Sequence, residues 1–143
     1  MTAGYQVRVE GLHLAPKGSH TGFRAGQYDH ASPRLRESQA ALSYAMREAR
    51  AGGPPLEGPV AVRLVFTRRR PADHYSARGG LKPRAEALRY SPNTPDLDKQ
   101  IRTALDAMDD AGWFATDDRQ VAMVEARKPW GDLPGVVAWA WAL

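Results

Sequence analysis

The chain contains no cysteine. That excludes disulfides as a source of stability, and it excludes thiolate zinc sites. Nowhere does an apolar run approach the roughly 20 residues a membrane span needs. The N-terminal stretch MTAGYQVRVEG also has no signal-peptide apolar region, so the expectation is a soluble, intracellular protein acting in the cytoplasm. Histidines are few (His13, His20, His30 and His74) and none pairs with another at a metal-ligand spacing. A metal would then be held mainly by carboxylate oxygen, which suits Mg²⁺, with Mn²⁺ as a substitute. Lysine is scarce as well, with 4 against 16 arginines. Arginine's planar fork suits phosphate, although a GC-rich genome inflates arginine in the same way.

What is present is charge sorted by sign. The net charge is +4 over 143 residues. From Arg63 to Arg102 there are ten Lys/Arg and four Asp/Glu, a local +6. From Thr103 to Asp118 there are five acids and no base. Composition bias does not explain this segregation. The length suits one domain with one core, and a single domain over residues 1–143 is the expected organisation.

Tyr5–Leu14 alternates like a strand, with Tyr5, Val7 and Val9 on one face. A loop containing Lys17 and Arg24 follows. Ser32-Pro33 is a helix start, with Ser as N-cap and Pro at the first helical position. That helix should run to about Ala51, burying Leu35, Leu42, Ala45, Met46 and Ala49 and stopping at Gly52-Gly53-Pro54-Pro55. Val60–Thr67 is a second strand. Arg68–Pro95 is a long, basic, Gly- and Pro-rich connection, of the kind that is usually functional or mobile. A second helix spans Leu97 to about Ala111, with Leu97, Ile101, Ala104, Leu105 and Met108 at core spacing and Gly112 as its end. Val121–Lys128 and Val136–Leu143 read as two more strands around a turn at Pro129–Gly135. Trp139 and Trp141 share one face of the last strand, as core packing or as an interface. The expected fold is a small α/β (α+β) domain with a mixed sheet and two principal helices.

The stretch SPNTPDLDKQIRTALDAMDDAGWFATDD, Ser91–Asp118, raises the chemical question. It carries Asp96, Asp98, Asp106, Asp109, Asp110, Asp117 and Asp118 in a basic protein. Asp96 and Asp98 are two apart where a loop meets a helix, and residues i and i+2 of extended chain point the same way. Two converging carboxylates stay ionised together most readily around a divalent cation. A strand returning beside the helix start would add Asp117 or Asp118. The plainer reading makes one of Asp96 and Asp98 an N-cap and Asp117-Asp118 a turn. Arg102, one turn after Asp98, is then a surface salt-bridge partner worth about 0.3–0.5 kcal/mol. In the functional reading it is a cation beside a phosphate.

The ordered set PDLDKQIRTALDAM…AGWFATDDRQVAMVEARK (Pro95–Lys128) resembles the signature of the RusA family of Holliday junction resolvases, found in bacteria, prophages and phages. The first strand with APKGSHTGF resembles the family's N-terminal strand and loop. Arg68–Arg70 and His74–Lys82 resemble phage-type members. The resemblance implies a RusA-like fold, a Mg²⁺-dependent endodeoxyribonuclease, a four-way DNA junction as partner and a homodimer that makes paired symmetric cuts. It carries the metal-binding aspartates onto Asp96, Asp98 and Asp118, with Asp117 the alternative to Asp118 because the spacer is one residue longer than in some members. The catalytic lysine falls on Arg102, which keeps the charge and cannot give up a proton. Lys99 stands where many members have asparagine, and Asp106 matches an acid whose role stays open. Candidate DNA contacts are Lys17, Arg24, Arg68, Arg69, Arg70, Lys82 and Lys99. Two rivals remain: a broader structure-selective nuclease cutting flaps or forks, and a non-catalytic DNA-binding module whose acids are caps and turns.

Overall fold

A computed structural model describes residues 3–15, 33–93 and 95–143. Five strands and three α-helices follow in the order β1 (Gly4–Glu10), α1 (Pro33–Arg50), β2 (Val60–Arg69), α2 (Pro83–Glu86), α3 (Leu97–Asp110), β3 (Val121–Arg127), β4 (Trp130–Gly131) and β5 (Gly135–Ala142). The two long helices and four long strands lie where the periodicities predict, within a few residues at each end. The expected cap of α1, Ser32, lies outside the described residues. None of the described helices is long and apolar enough to cross a membrane.

The sheet is mixed, with strand order β1-β5-β2-β3 and β4 beside the end of β2. β5 is antiparallel to β1 and β2, while β2 and β3 are parallel. A parallel pair needs a crossover, and α3 lies on it. Alternate residues of the strands face the helices: Val7 on β1, Val62, Leu64 and Phe66 on β2, and Val136, Ala138 and Ala140 on β5. These meet Leu42 and Met46 of α1 and Ala104, Ala107 and Met108 of α3 in one buried cluster.

One expectation needs correction and two are sharpened. The buried stripe of α3 is Gln100, Thr103, Ala104, Ala107 and Met108, whereas Leu97, Ile101 and Leu105 are only partly buried. Two polar residues occupy the core face because each has a carbonyl to bind. Gln100 donates to the Leu14 oxygen at 2.9 Å, and Thr103 to the Ala15 oxygen at 3.0 Å. Secondly, Trp139 and Trp141 are not in the core. They alternate with the buried Ala138 and Ala140 and so face away from the helices, with the Arg63 guanidinium 5.8 Å from the Trp141 ring. Thirdly, the Arg68–Pro95 connection has structure of its own: a 3₁₀ turn at Ala72–His74, α2, and bridges Tyr75–Leu81 and Tyr90–Pro129.

The end of α3 is fixed in a way that bears on the site. Gly112 has φ +76° and sits where a Cβ would come within 2.9 Å of the Arg50 guanidinium. Its N–H donates to the Asp109 oxygen and the Trp113 N–H to the Met108 oxygen, the paired bonds of a Schellman stop. Trp113 is fully buried and its indole N–H donates to the Met46 oxygen at 2.8 Å. Trp113→Ala empties the largest buried site and orphans that carbonyl. Its expected cost is about 3–5 kcal/mol, read by urea denaturation; a loss below about 1 kcal/mol would mean that the Trp113 site collapses freely.

Candidate active site at the start of α3

Asp96 holds the N-cap position of α3, with extended backbone at φ −68° and ψ 137°, but its side chain bonds to no helix amide. Its carboxylate lies 3.5 Å from the Lys99 ammonium, one turn into the helix. The pair of acids is thus not without a basic partner. Asp98, in the first turn, is exposed. Arg102 is exposed too, and among the described residues it has no ion pair with Asp98 or any other acid. Neither carboxylate is spent on a cap, and the i,i+4 bridge is not made.

Several cations gather around this end. Lys128, just past β3, donates through Nζ to the Pro95 oxygen at 2.8 Å and also to the Asn93 oxygen. It ties the end of β3 to the loop that delivers Asp96. Burial and the neighbouring Arg68 hold its pKa below the usual lysine value, while Asp96 pulls the other way. Arg68 lies over the Trp130 ring at 5.8 Å, with one guanidinium nitrogen buried and unpartnered among the described residues. His13 lines the same small cavity as Arg68, Gln100 and Lys128, about 10 Å³ in volume, room for one water. Burial, then Arg68 and Arg34, depress the His13 pKa, so its ring is neutral at pH 7. The amides at the start of α3 add the positive end of the helix dipole. Lys128 and His13 were missed as site residues. Lys128 had a signal, the Arg-Lys at the end of the strand, but only topology brings it to Asp96.

The other acids lie at the opposite end of α3. Asp110 accepts from Ser43 at 2.6 Å and Arg47 at 2.7 Å, joining α3 to α1. Asp117 caps the 3₁₀ turn Asp118–Gln120, accepts from the Arg119 amide and pairs with the Arg119 guanidinium at 2.8 Å, which lowers its pKa. Asp118 is exposed and has no ion pair among the described residues. Asp109 has its pKa raised by burial and then by Asp118, Asp117, Asp106 and Asp110. Asp118 therefore belongs with the C-terminal end of α3. A 14-residue helix is about 21 Å long, so the end that bears Asp118 is far from Asp96 and Asp98. The expected return of a strand beside the helix start does occur, but it is the end of β3, at Lys128, that returns; its start stays with Asp109. Among the described residues no three Asp, Glu or His side chains gather closely enough to hold a metal ion. Among the described residues Asp96, Asp98 and Asp118 do not form such a group.

The remaining candidates divide. Arg69, at the end of β2, is exposed. Arg70 spends its donors on the Ala85 oxygen at 2.8 Å and the Leu88 oxygen at 3.1 Å, so it holds the connection in shape. Lys82 is partly buried at the start of α2. Lys17 and Arg24 lie outside the described residues.

The family model for endodeoxyribonuclease RusA matches residues 15–138, most of the chain. The chain belongs to the RusA family. It is an endodeoxyribonuclease of a family that resolves Holliday junctions and depends on divalent metal. No curated protein matches it at a significant level. The RusA match takes in both acidic ends of α3, β3 and the Lys128 anchor, so the features described above all lie within it.

Proposed function

We propose that this RusA-family enzyme resolves four-way DNA junctions as a homodimer, by paired symmetric phosphodiester cuts, using Mg²⁺ with Mn²⁺ as a substitute. The observation that carries this reading is the start of α3. Two exposed, uncapped carboxylates, Asp96 and Asp98, stand at the positive end of a helix beside Lys99, Arg102 and Lys128. Carboxylates draw a divalent ion, and the surrounding cations draw phosphate. Asp96, Asp98 and Asp118 are the metal ligands in this reading, and Asp118 is preferred to Asp117 because Asp117 is committed to Arg119. Arg102 neutralises charge on the phosphate under attack. Lys99 and Arg68 hold the flanking backbone, with Arg69 as an outer contact. The bacterial cytoplasm or nucleoid is the proposed site of action, and residues 1–143 are read as one domain.

The test compares a four-way junction, a fork, a flap and linear duplex, each with and without Mg²⁺. Mg²⁺-dependent cutting of the junction, in symmetric pairs, is the expected result. Equal cutting of forks and flaps would replace the junction reading with a broader structure-selective one. The non-catalytic alternative is set aside by membership of an endodeoxyribonuclease family.

Binding should also be strongly salt-dependent. The ten Lys/Arg against four Asp/Glu between Arg63 and Arg102 surround the acids, so counterion release dominates affinity. Junction affinity should fall about 10³-fold or more between 50 and 200 mM salt if six or more phosphates are contacted. A flat dependence on salt would remove the basic segment from the interface.

A further inference from the structure

The Asp96 carboxylate bonds to no amide of α3, so the direction of this side chain is set by the backbone on either side of it. Two peptide groups flank the residue. The one after it is held by the helix, where the Asp96 oxygen accepts from the Gln100 N–H at 3.1 Å. The one before it lies outside the helix, and its oxygen belongs to Pro95. That oxygen accepts from Lys128 Nζ at 2.8 Å. A peptide group is planar, so holding the Pro95 oxygen also fixes the nitrogen and Cα of Asp96. With both planes fixed, the Asp96 side chain leaves the backbone in one direction.

Lys128 is well placed for this and poorly placed for DNA. It directly follows β3, and its own backbone is tied down. The Lys128 oxygen accepts from the Ser91 N–H at 3.0 Å, and the Trp130 N–H donates to the Arg89 oxygen at 2.9 Å. Its side chain bonds the Asn93 oxygen as well as that of Pro95. Two of the three ammonium donors are thus used on carbonyls of one segment. The residue is partly buried, and a phosphate would have to break those bonds to be met. Pro95 is itself buried, and it lines the water-sized cavity together with His13, Arg68, Gln100 and Lys128. Gln100 Oε1 and one Arg68 nitrogen have no hydrogen-bond partner among the described residues. The space behind Pro95 is therefore not packed solid, which leaves the Lys128 bonds to set where this corner stands.

We infer that Lys128 is a positioning residue: it holds the Pro95–Asp96 peptide so that Asp96 and Asp98 converge on one metal ion, and its donors do not meet DNA. The reaction it serves rests on the function proposed above; the hold on the Asp96 backbone does not. Its charge still adds to the field around the site. The contact carries the rigidity of the sheet, through the end of β3, to the start of α3. Precision of this kind matters because a misplacement of about 1 Å costs about 10²-fold in rate.

The test uses full-length Lys128→Met and Lys128→Arg. Methionine keeps an unbranched stem and removes every donor. Arginine keeps the charge and offers donors for both carbonyls. Lys128→Met should cleave a four-way junction about 10²-fold more slowly in single turnover at saturating protein. It should also need more Mg²⁺ to reach half of its maximal rate. Its junction affinity without metal should change little, and the slope of log K against log salt should stay the same. Lys128→Arg should recover much of the rate. A cation that touched a phosphate would behave otherwise: its loss weakens binding and lowers the salt slope by about one. That outcome, or parental cleavage by Lys128→Met, overturns the inference. A second readout, amide hydrogen exchange, needs no activity. The Asn93 amide, which donates to Ser91 Oγ, and the Gln100 amide, bonded to the Asp96 oxygen, should exchange faster in Lys128→Met, while β2 and β5 keep their protection. Unchanged exchange at both amides overturns the inference. Loss of protection throughout the sheet overturns it too, because Lys128 would then serve general stability. Parental protein that cuts no branched DNA, with faster exchange at Asn93 and Gln100 in Lys128→Met, would overturn the junction reading and leave the hold on Asp96 standing.

Discussion

Asp96→Asn and Asp98→Asn should each abolish junction cleavage while leaving binding equal to or tighter than that of the parental protein. The two effects separate because the carboxylates and the phosphates carry the same sign. Each aspartate repels DNA until a divalent ion lies between them, and each stands among Lys99, Arg102 and Lys128, which attract it. Asparagine keeps the shape and removes the charge. It weakens the draw on the metal, and it leaves the cations less neutralised. Neither side chain bonds to an amide of α3, so stability should change little. The measurement is a gel shift without metal beside single-turnover cleavage with Mg²⁺. The predicted signature is a rate lower by at least about 10³-fold, the scale for losing a metal that generates the nucleophile and stabilises the leaving oxygen, with a Kd no weaker than the parental one. Full cleavage by both variants would return Asp96 and Asp98 to an ordinary helix start.

Most of the fold was legible because its elements announce themselves locally. Pro33 opens α1 and Gly52 follows it; the Val-rich run from Val60 is β2; Gly112 stops α3 with the only kind of residue that accepts φ +76° there without strain. What was not legible depends on direction. The sequence places Asp118 some twenty residues after Asp98, a distance that a returning chain can close. Whether it does depends on which end of β3 meets the start of α3. That is set by the parallel pairing of β3 with β2, which no residue of the segment states. Lys128 was hidden for the same reason: a strand-end lysine looks solvated until topology buries part of it against Pro95. The misread core face of α3 has another cause. Gln100 and Thr103 look like surface residues by type, and they are buried because the oxygens of Leu14 and Ala15, from the far end of the sequence, require donors.

Arg102→Ala should lower the cleavage rate by about 10²–10³-fold, and Arg102→Lys should restore much of it. The resemblance carries the family's lysine onto Arg102, one helical turn after Asp98, and the Arg102 guanidinium is exposed with no carboxylate partner among the described residues. An arginine held by a salt bridge would have to surrender it to meet a phosphate. This one does not, so its charge is available at no such cost. Arginine as a residue type supplies charge and hydrogen bonds and does not serve as a proton donor, which sets the part this side chain can play. Three results distinguish charge from structure. The alanine variant should fold normally, since the side chain lies on an exposed face of α3. Its junction affinity should change far less than its rate, because many other cations bind the phosphates. The pH profiles of parental and lysine enzymes, measured in single turnover from about pH 6 to 9, should have the same shape, because a lysine is also fully charged over that range. A lysine variant that gained a new basic limb would show that a proton moves at this position. An alanine variant cutting at the parental rate would make Arg102 a surface residue and pass its role to Lys99, which lies 3.5 Å from Asp96 and is the nearest remaining cation on the same helix.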